Sequence, residues 1–171
     1  PGKRVVAQIA PAVRVAIGEE FGIPAGKNTI GKIFTALRML GFDTVFDTSF
    51  SADLTVIEEA NELLYKLKNG EQKYPLGNSL PLFTSCCPAW VRFVETKYPE
   101  LLPYVSTCKS PMEMFGAVLK EYYKPADEEA GMETVSVAVM PCVAKKHEAA
   151  REEFKRNEVP DVDYVITTKE L

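Results

Sequence analysis

Short apolar segments rich in β-branched residues alternate with segments of helical periodicity along the whole chain, and this alternation constrains the fold more than any other feature. We predict strands over 4–10, 44–46, 80–85, 135–140 and 161–166, helices over 11–21, 30–40, 53–68, 88–98, 111–123 and 143–154, and a polar loop over 69–79. Strands that alternate with helices are typical of βαβ units. We therefore predict a layered α/β fold with a largely parallel sheet flanked by helices.

Length and charge narrow the possible classes of protein. The 171 residues suit one domain with a substantial core. The net charge is -4, and no basic run is longer than Lys145-Lys146, so nucleic acid is a poor match as a partner. No apolar run approaches the roughly 18 residues of a membrane span. The N-terminal residues lack a signal-peptide profile, which predicts a cytoplasmic location and cysteines that are reduced or bind metal.

Two cysteine-bearing turns are the strongest functional feature: residues 84–90 (TSCCPAW) and 140–146 (MPCVAKK). Each is predicted to lie between a strand and a helix, and sites in parallel sheets gather at the carboxyl ends of strands. Free N–H groups at a helix N-terminus favour thiolates and anionic cofactors. The alternative is that these cysteines are small buried apolar residues, and the pattern alone leaves both interpretations open.

The cysteines do not form a complete metal site by themselves. The chain has no C-x2-C pair, and side chains of adjacent residues such as Cys86 and Cys87 diverge on extended backbone. Cys108 lies in a turn, and His147, the only histidine, falls on the apolar side of its predicted helix. An iron site would therefore need ligands from outside this sequence. Residues 167–170 (TTKE) match a capping box that begins a helix, so we expect the natural chain to continue beyond residue 171.

Charged residues near these turns have two interpretations. Lys145 follows Cys142 by three residues on one helix face and can be directed by Glu148, or it can be an ordinary solvated lysine. Glu59 and Glu62 are also three residues apart. Their plainer interpretation is a solvated acidic face in which Glu62 pairs with Lys66.

The two cysteine turns resemble the first two of the three signature motifs of [FeFe]-hydrogenases. The similarity extends over nearly the whole chain and includes residues 10–14 (APAVR), 50–62 (FSADLTVIEEANE), 99–111 (PELLPYVSTCKSP) and 161–171 (DVDYVITTKEL). The resemblance implies that residues 1–171 are the first lobe of the domain that holds the H-cluster, ending before the third cysteine motif. That cofactor is a [4Fe–4S] cubane joined to a two-iron unit with CO, cyanide and a bridging dithiolate.

The resemblance also implies a role for individual residues. Cys87 and Cys142 match two cubane ligands, and Cys86 matches the cysteine that donates protons to the two-iron unit. Residues matching the onward proton relay are Glu59, Ser106 and Glu62. Residues matching cofactor contacts are Lys145 and the Pro11-Ala12 backbone, near the cyanides, and Met140, near the bridging CO. Ala12 replaces a serine of many members and Met112 a glutamine of several, which puts those two contacts in doubt.

The activity implied is the reversible reaction 2H+ + 2e- = H2 in the full-length protein. Its partners would be H2, protons, the remainder of the chain, and an electron carrier such as ferredoxin or a redox subunit. We expect the fragment alone to be inactive. Three alternatives are an H2-sensing regulatory hydrogenase, a non-catalytic iron–sulfur protein of the assembly-factor type, and a thiol protein without metal.

Overall fold

The computed structural model describes residues 2–69 and 80–171. The strands are β1 (Lys3–Ile9), β2 (Thr44–Asp47), β3 (Glu133–Met140), β4 (Lys155–Arg156), β5 (Val159–Pro160) and β6 (Tyr164–Thr167). The helices are α1 (Pro11–Ala16), α2 (Ile30–Met39), α3 (Ser49–Asn69), α4 (Pro88–Lys97), α5 (Pro111–Ala130) and α6 (Ala144–Ala149). Single 3-10 segments follow α1, α4 and α6 at Ile17–Phe21, Pro99–Tyr104 and Glu152–Phe154. Except for residue 69, which ends α3, the predicted loop over 69–79 lies outside the described residues.

A four-stranded parallel sheet in the order β2-β1-β3-β6 confirms the predicted α/β class. β1 and β3 form its centre, in register from Lys3 opposite Glu133 to Ile9 opposite Val139. Both strands are buried over most of their length, as expected for a parallel sheet covered on both faces. β4 and β5 form a separate antiparallel pair.

The chain changes its direction of travel across the sheet between β1 and β3. From β1 it continues to β2 on one side, whereas from β3 it continues to β6 on the other. The backbone N–H of Ala10 donates to the carbonyl of Val139 at 3.0 Å, so the strand ends lie side by side. Ligands of open α/β sheets bind at such a switch point. Pro11 and Pro141 lie there, just after the ends of β1 and β3.

Several predicted elements differ from the observed ones. Residues 80–85 are not a sheet strand: Phe83 forms one isolated parallel bridge with Val105, because its hydrogen bonds go to Tyr104 and Ser106 rather than to the sheet. The helices predicted over 11–21 and 143–154 are both shorter than predicted, since the chain continues as a 3-10 segment after each of them. α5 is longer than predicted, because it continues through Pro125 to a left-handed Gly131 cap.

α3 presents the opposite face to the core from the one that its apolar residues predict. Ile57, Leu64 and Leu67 are each at least half exposed, whereas Glu62 and Lys66 are buried. The segment before α5 packs on α3 and donates hydrogen bonds to the Glu62 carboxylate, so the polar face of α3 is the buried one. Among the helices of residues 2–69 and 80–171, none has the length and apolarity needed to cross a membrane.

Candidate active site at the carboxyl edge of the sheet

The two cysteine turns present their side chains at the start of helices. Cys87 is the N-cap residue of α4, and the buried Pro88 occupies the first helical position, where a missing N–H costs nothing. Cys142 follows β3, and its sulfur accepts a hydrogen bond from the Ala144 N–H at 3.4 Å. Cys86, Cys87 and Cys142 are all exposed and form no disulfide. These thiols are therefore accessible to a cofactor.

Lys145 joins the two turns in space. Its Nζ donates to the carbonyl oxygen of Cys86 at 2.9 Å and to Oε2 of Glu148 at 2.6 Å. The Glu148 side chain is only 4% exposed and the Lys145 side chain 14%, so the ammonium is largely withdrawn from water. The predicted Lys145–Glu148 pair is present. The two cysteine motifs, distant in sequence, consequently lie within the reach of one lysine side chain.

The donor set of the two turns fits part of an iron–sulfur site. Across residues 2–69 and 80–171, no three His, Cys, Asp or Glu side chains form a group that could hold a metal ion. Cys87 and Cys142 are thiol donors on neighbouring turns, and a cubane takes four such ligands. These residues fit half of the ligand set, and a cationic Lys145 beside them suits anionic groups.

A second cluster surrounds Glu62 on the buried face of α3. Ser106 Oγ donates to Oε2 of Glu62 at 2.6 Å, and the Thr107 N–H donates to the same carboxylate at 3.3 Å. Lys66 Nζ lies 3.3 Å from the other oxygen of Glu62. The predicted Glu62–Lys66 pair is present, but the interpretation as a solvated face is wrong, because both side chains are almost completely buried.

The surroundings of Glu59 and Cys86 raise the pKa of both groups. Burial raises the pKa of Glu59, the charge of Glu62 adds to the effect, and a backbone hydrogen bond from Ser85 opposes it. Oε1 of Glu59 is buried without a partner. Burial also raises the pKa of the Cys86 thiol, against the opposing charge of Lys145 and with Glu59 adding to the rise. At neutral pH Cys86 therefore carries a proton beside a carboxyl group that has a free oxygen.

The remaining predicted site residues lie around the sheet edge. Pro11 and Ala12 are exposed at the start of α1, beside the end of β3. Met140 ends β3 and is 3% exposed within the main core cluster. Met112 is 1% exposed, and its carbonyl accepts a hydrogen bond from Gln8 Nε2, so this residue is part of the core.

Three residues in or near the site have properties that the sequence interpretation did not include. Cys108 Sγ lies 3.7 Å from Oε2 of Glu62, and burial raises the pKa of this thiol. Lys66 was identified by its i+4 spacing, which carries no information about burial. Glu113 is completely buried. The sequence does not indicate that Glu113 is buried, because acidic residues are common in the first turn of a helix, where they are usually exposed.

The fold and the site define an α/β protein with three exposed cysteines at the carboxyl edge of its parallel sheet. Residues 3–171 match the family "Iron only hydrogenase large subunit, C-terminal domain". The chain belongs to this family, which confirms the resemblance inferred from the two cysteine motifs.

Curated relatives and solved structures agree with the assignment. The chain is 51% identical, over its whole length, to 29% of an NADP-reducing hydrogenase subunit from Solidesulfovibrio fructosivorans. Over 98% of its length it is 45% identical to 39% of a periplasmic [Fe] hydrogenase large subunit from Nitratidesulfovibrio vulgaris. A variant [FeFe]-hydrogenase from Chlamydomonas reinhardtii superimposes with a TM-score of 0.86 at 46% identity, covering 98% of this chain and 41% of that one.

A further relative has a lower sequence identity to this chain. The protein NAR1 from Arabidopsis thaliana is 36% identical over 99% of this chain and 38% of its own length. The chain thus spans well under half the length of each of these proteins.

Proposed function

We propose that this chain is the first lobe of the H-cluster domain of an [FeFe]-hydrogenase, and that the full-length protein catalyses reversible 2H+ + 2e- = H2. The observation that carries the proposal is the hydrogen bond from Lys145 to the Cys86 carbonyl, which joins the two cysteine turns. In this proposal Cys87 and Cys142 supply half of the cubane ligands, and the other half comes from outside residues 1–171.

The cofactor, when bound, supplies the metal centre at which H2 is formed or split. Cys86 holds a proton on its sulfur at the exposed end of the site. Glu59 receives that proton through its unpartnered Oε1, and the hydrogen-bonded pair Ser106–Glu62 carries it further along α3. A thiol and carboxyl groups suit this task, because each can accept and donate a proton when it is positioned within hydrogen-bond reach of the next group.

Other residues of the site hold the cofactor in place. Lys145 provides a largely covered ammonium, which suits the anionic cyanides of the two-iron unit. The backbone at Pro11-Ala12 lies at the same edge of the sheet. The buried Met140 side chain lies on the core side of that edge. The proposed partners are H2, protons and an electron carrier such as ferredoxin or a redox subunit. The proposed location is the cytoplasm, and cell fractionation would test it, since one relative is named as periplasmic.

Iron binding is the first test of the proposal. We expect that Cys87→Ser and Cys142→Ser in the full-length, matured protein each abolish the infrared bands of CO and cyanide and lower the iron content. Cys108→Ser is the matched control, because this residue is a free cysteine outside the two motifs, and it should keep both signals. Unchanged bands in the Cys87 and Cys142 variants would refute the ligand assignment.

The role of Cys86 is tested separately. Cys86→Ala should retain the CO and cyanide bands but lose H2 turnover by roughly two orders of magnitude or more, as expected when a positioned proton donor is removed. Normal turnover in this variant would contradict the proton relay while leaving the cofactor assignment intact.

A second candidate is a non-catalytic iron–sulfur protein of the hydrogenase type. It is favoured by the 34% identity of this chain, over 99% of its length, to a cytosolic Fe-S cluster assembly factor from Danio rerio. The same spectra distinguish the two candidates: iron and sulfide without CO and cyanide bands would favour this second function. A regulatory hydrogenase that senses H2 would instead keep the bands and show weak turnover.

A further inference from the structure

Glu113, in the first turn of α5, is a buried carboxyl group that the proposed relay does not use. Its side chain is fully buried, and within residues 2–69 and 80–171 neither carboxyl oxygen has a hydrogen-bond partner. Its backbone N–H donates to the Ser110 side chain at 3.4 Å. An unpaired buried carboxylate is costly, whereas its neutral form is tolerated much better. This cost requires an explanation from the surroundings of Glu113.

Two ion pairs flank the Glu113 carboxyl. Lys145 pairs with Glu148 on α6, and Lys109, before α5, pairs with Asp161, before β6. All four groups act electrostatically on Glu113. Each lysine already has an acidic partner, and Asp161 also pairs with Arg156 at 3.4 Å. Among the four groups that act on Glu113, a charge on its carboxyl would be a third negative charge against two positive ones. Burial first, and then Glu148 and Asp161, raise the pKa of Glu113 to about 8, against the opposing effect of the two lysines.

The two lysines differ in how firmly they are held. Lys109 pairs with the buried Asp161 and lies 5.5 Å from the centre of the Phe154 ring. Lys145 divides its hydrogen bonds between the Glu148 carboxylate and the uncharged carbonyl of Cys86. An ammonium is attracted more strongly by the full negative charge of a carboxylate than by the dipole of an uncharged carbonyl. The Lys145–Cys86 hydrogen bond is therefore the contact in this cluster that is lost most easily when a nearby carboxyl group ionises.

We propose that Glu113 is a proton-holding positioning residue: while its carboxyl is neutral, Lys145 stays on the Cys86 carbonyl, and when the carboxyl ionises, Lys145 turns to it. The released proton goes to the solvent buffer, and no other bond is made or broken except hydrogen bonds. Glu113 thereby controls by pH the contact that joins the two cysteine turns. Any effect of this contact on H2 turnover rests on the proposed function, whereas the movement of Lys145 does not.

Infrared titration of the full-length protein, prepared without its cofactor, tests both halves of the proposal. One band belongs to the carbonyl stretch of a protonated carboxylic acid, and deuterium exchange lowers its frequency. We expect this band at neutral pH and expect it to disappear with a midpoint near pH 8. Glu113→Gln should remove the band that disappears with this midpoint. Asp127→Asn should leave it unchanged, because Asp127 is a buried carboxylate on the same helix that is hydrogen-bonded to Arg4 and Thr134.

Cysteine labelled with 13C at its carbonyl reports the position of Lys145. In the wild type, the Cys86 carbonyl band should shift to higher frequency with the same midpoint, since it loses a hydrogen bond. Lys145→Met assigns that band, which should then be independent of pH, and Glu113→Gln should also remove the shift.

Each half of the proposal can fail separately. The lack of an acid band in the wild type at neutral pH would overturn the neutral state of Glu113. Ionisation of Glu113 without any shift of the Cys86 carbonyl would overturn the positioning role. Both readouts come from the wild-type protein, so they need no variant to fold, and neither depends on hydrogenase activity.

Discussion

Two carboxyl groups on α5, both almost completely buried, have opposite pKa shifts. Burial alone would raise the pKa of Asp127, but hydrogen bonds from Thr134 and Arg4 and the charge of Arg4 outweigh it and lower the pKa. Glu113 has no such donors, and its pKa is raised. Residue type and burial are therefore not enough to assign a charge state: the donors within reach of the carboxyl oxygens decide it.

Glu113 should make stability depend on pH in a predictable direction. The folded state binds the Glu113 proton more tightly than the unfolded state, so the free energy of unfolding falls as the pH rises from about 4.5 to about 8. Glu113→Gln removes this dependence and should gain stability over the wild type across that interval, by at most about 5 kcal/mol. Urea unfolding of the protein without cofactor at several pH values measures the difference. A difference that does not vary with pH would contradict the prediction.

At the scale of elements, α5 approaches the segment before β6 through Gly116. A Cβ atom built on Gly116 would lie 2.7 Å from the carbonyl carbon of Asp161 and 2.8 Å from Val162 Cγ2. The main obstacle is backbone, which cannot rotate away as a side chain can. The same close approach brings Asp161 near Lys109 and Glu113, so it positions the charged cluster as well as the helix.

Gly116→Ala should therefore destabilise the fold. The expected cost is roughly 1–3 kcal/mol, the usual range for overpacking in a core. Gly31→Ala is the matched control, because Gly31 is exposed in α2 and an added Cβ meets nothing within 4 Å. The control should be stabilised by about 0.5–1 kcal/mol through the higher helix propensity of alanine. Thermal unfolding of both variants measures the two effects, and equal changes would refute the close-approach argument.

At the scale of the molecule, the proposed site is an open edge. Its three motif cysteines are exposed, and the apolar side of α3 also faces outward, with Ile57, Leu64 and Leu67 at least half exposed. Large exposed apolar surfaces mark places where other structure binds. The chain also spans only 29% to 41% of the relatives and structures compared with it.

Iron retention should accordingly depend on more than these residues. We expect that this 171-residue chain, reconstituted with iron and sulfide and then desalted, keeps much less than four iron atoms, because it supplies two of the four cubane thiolates. The full-length protein treated identically should keep a complete cubane. Stoichiometric iron and sulfide in the short chain would contradict the proposed division of ligands.

Much of the fold could be predicted from local patterns. β1 and β3 carry short segments rich in valine and alanine, interrupted by Gln8 and Ser136, and such segments indicate strands buried on both faces. The capping box at residues 167–170 was also detectable, and Glu170 does accept from the Thr167 N–H at 2.7 Å. The interpretation of residues 80–85 as a sheet strand was wrong, because β-type sequence does not specify which partner the backbone will bond.

The sequence by itself determined the α/β class, the family and the positions of the motif cysteines, because these depend on periodicity and on residues close together in the chain. Only the tertiary structure decided that Lys145 reaches the Cys86 carbonyl, that the polar face of α3 is the buried one, and that Glu113 has no partner. Each of these depends on groups far apart in sequence, whose hydrogen bonds, burial and charge exist only once the elements have packed together.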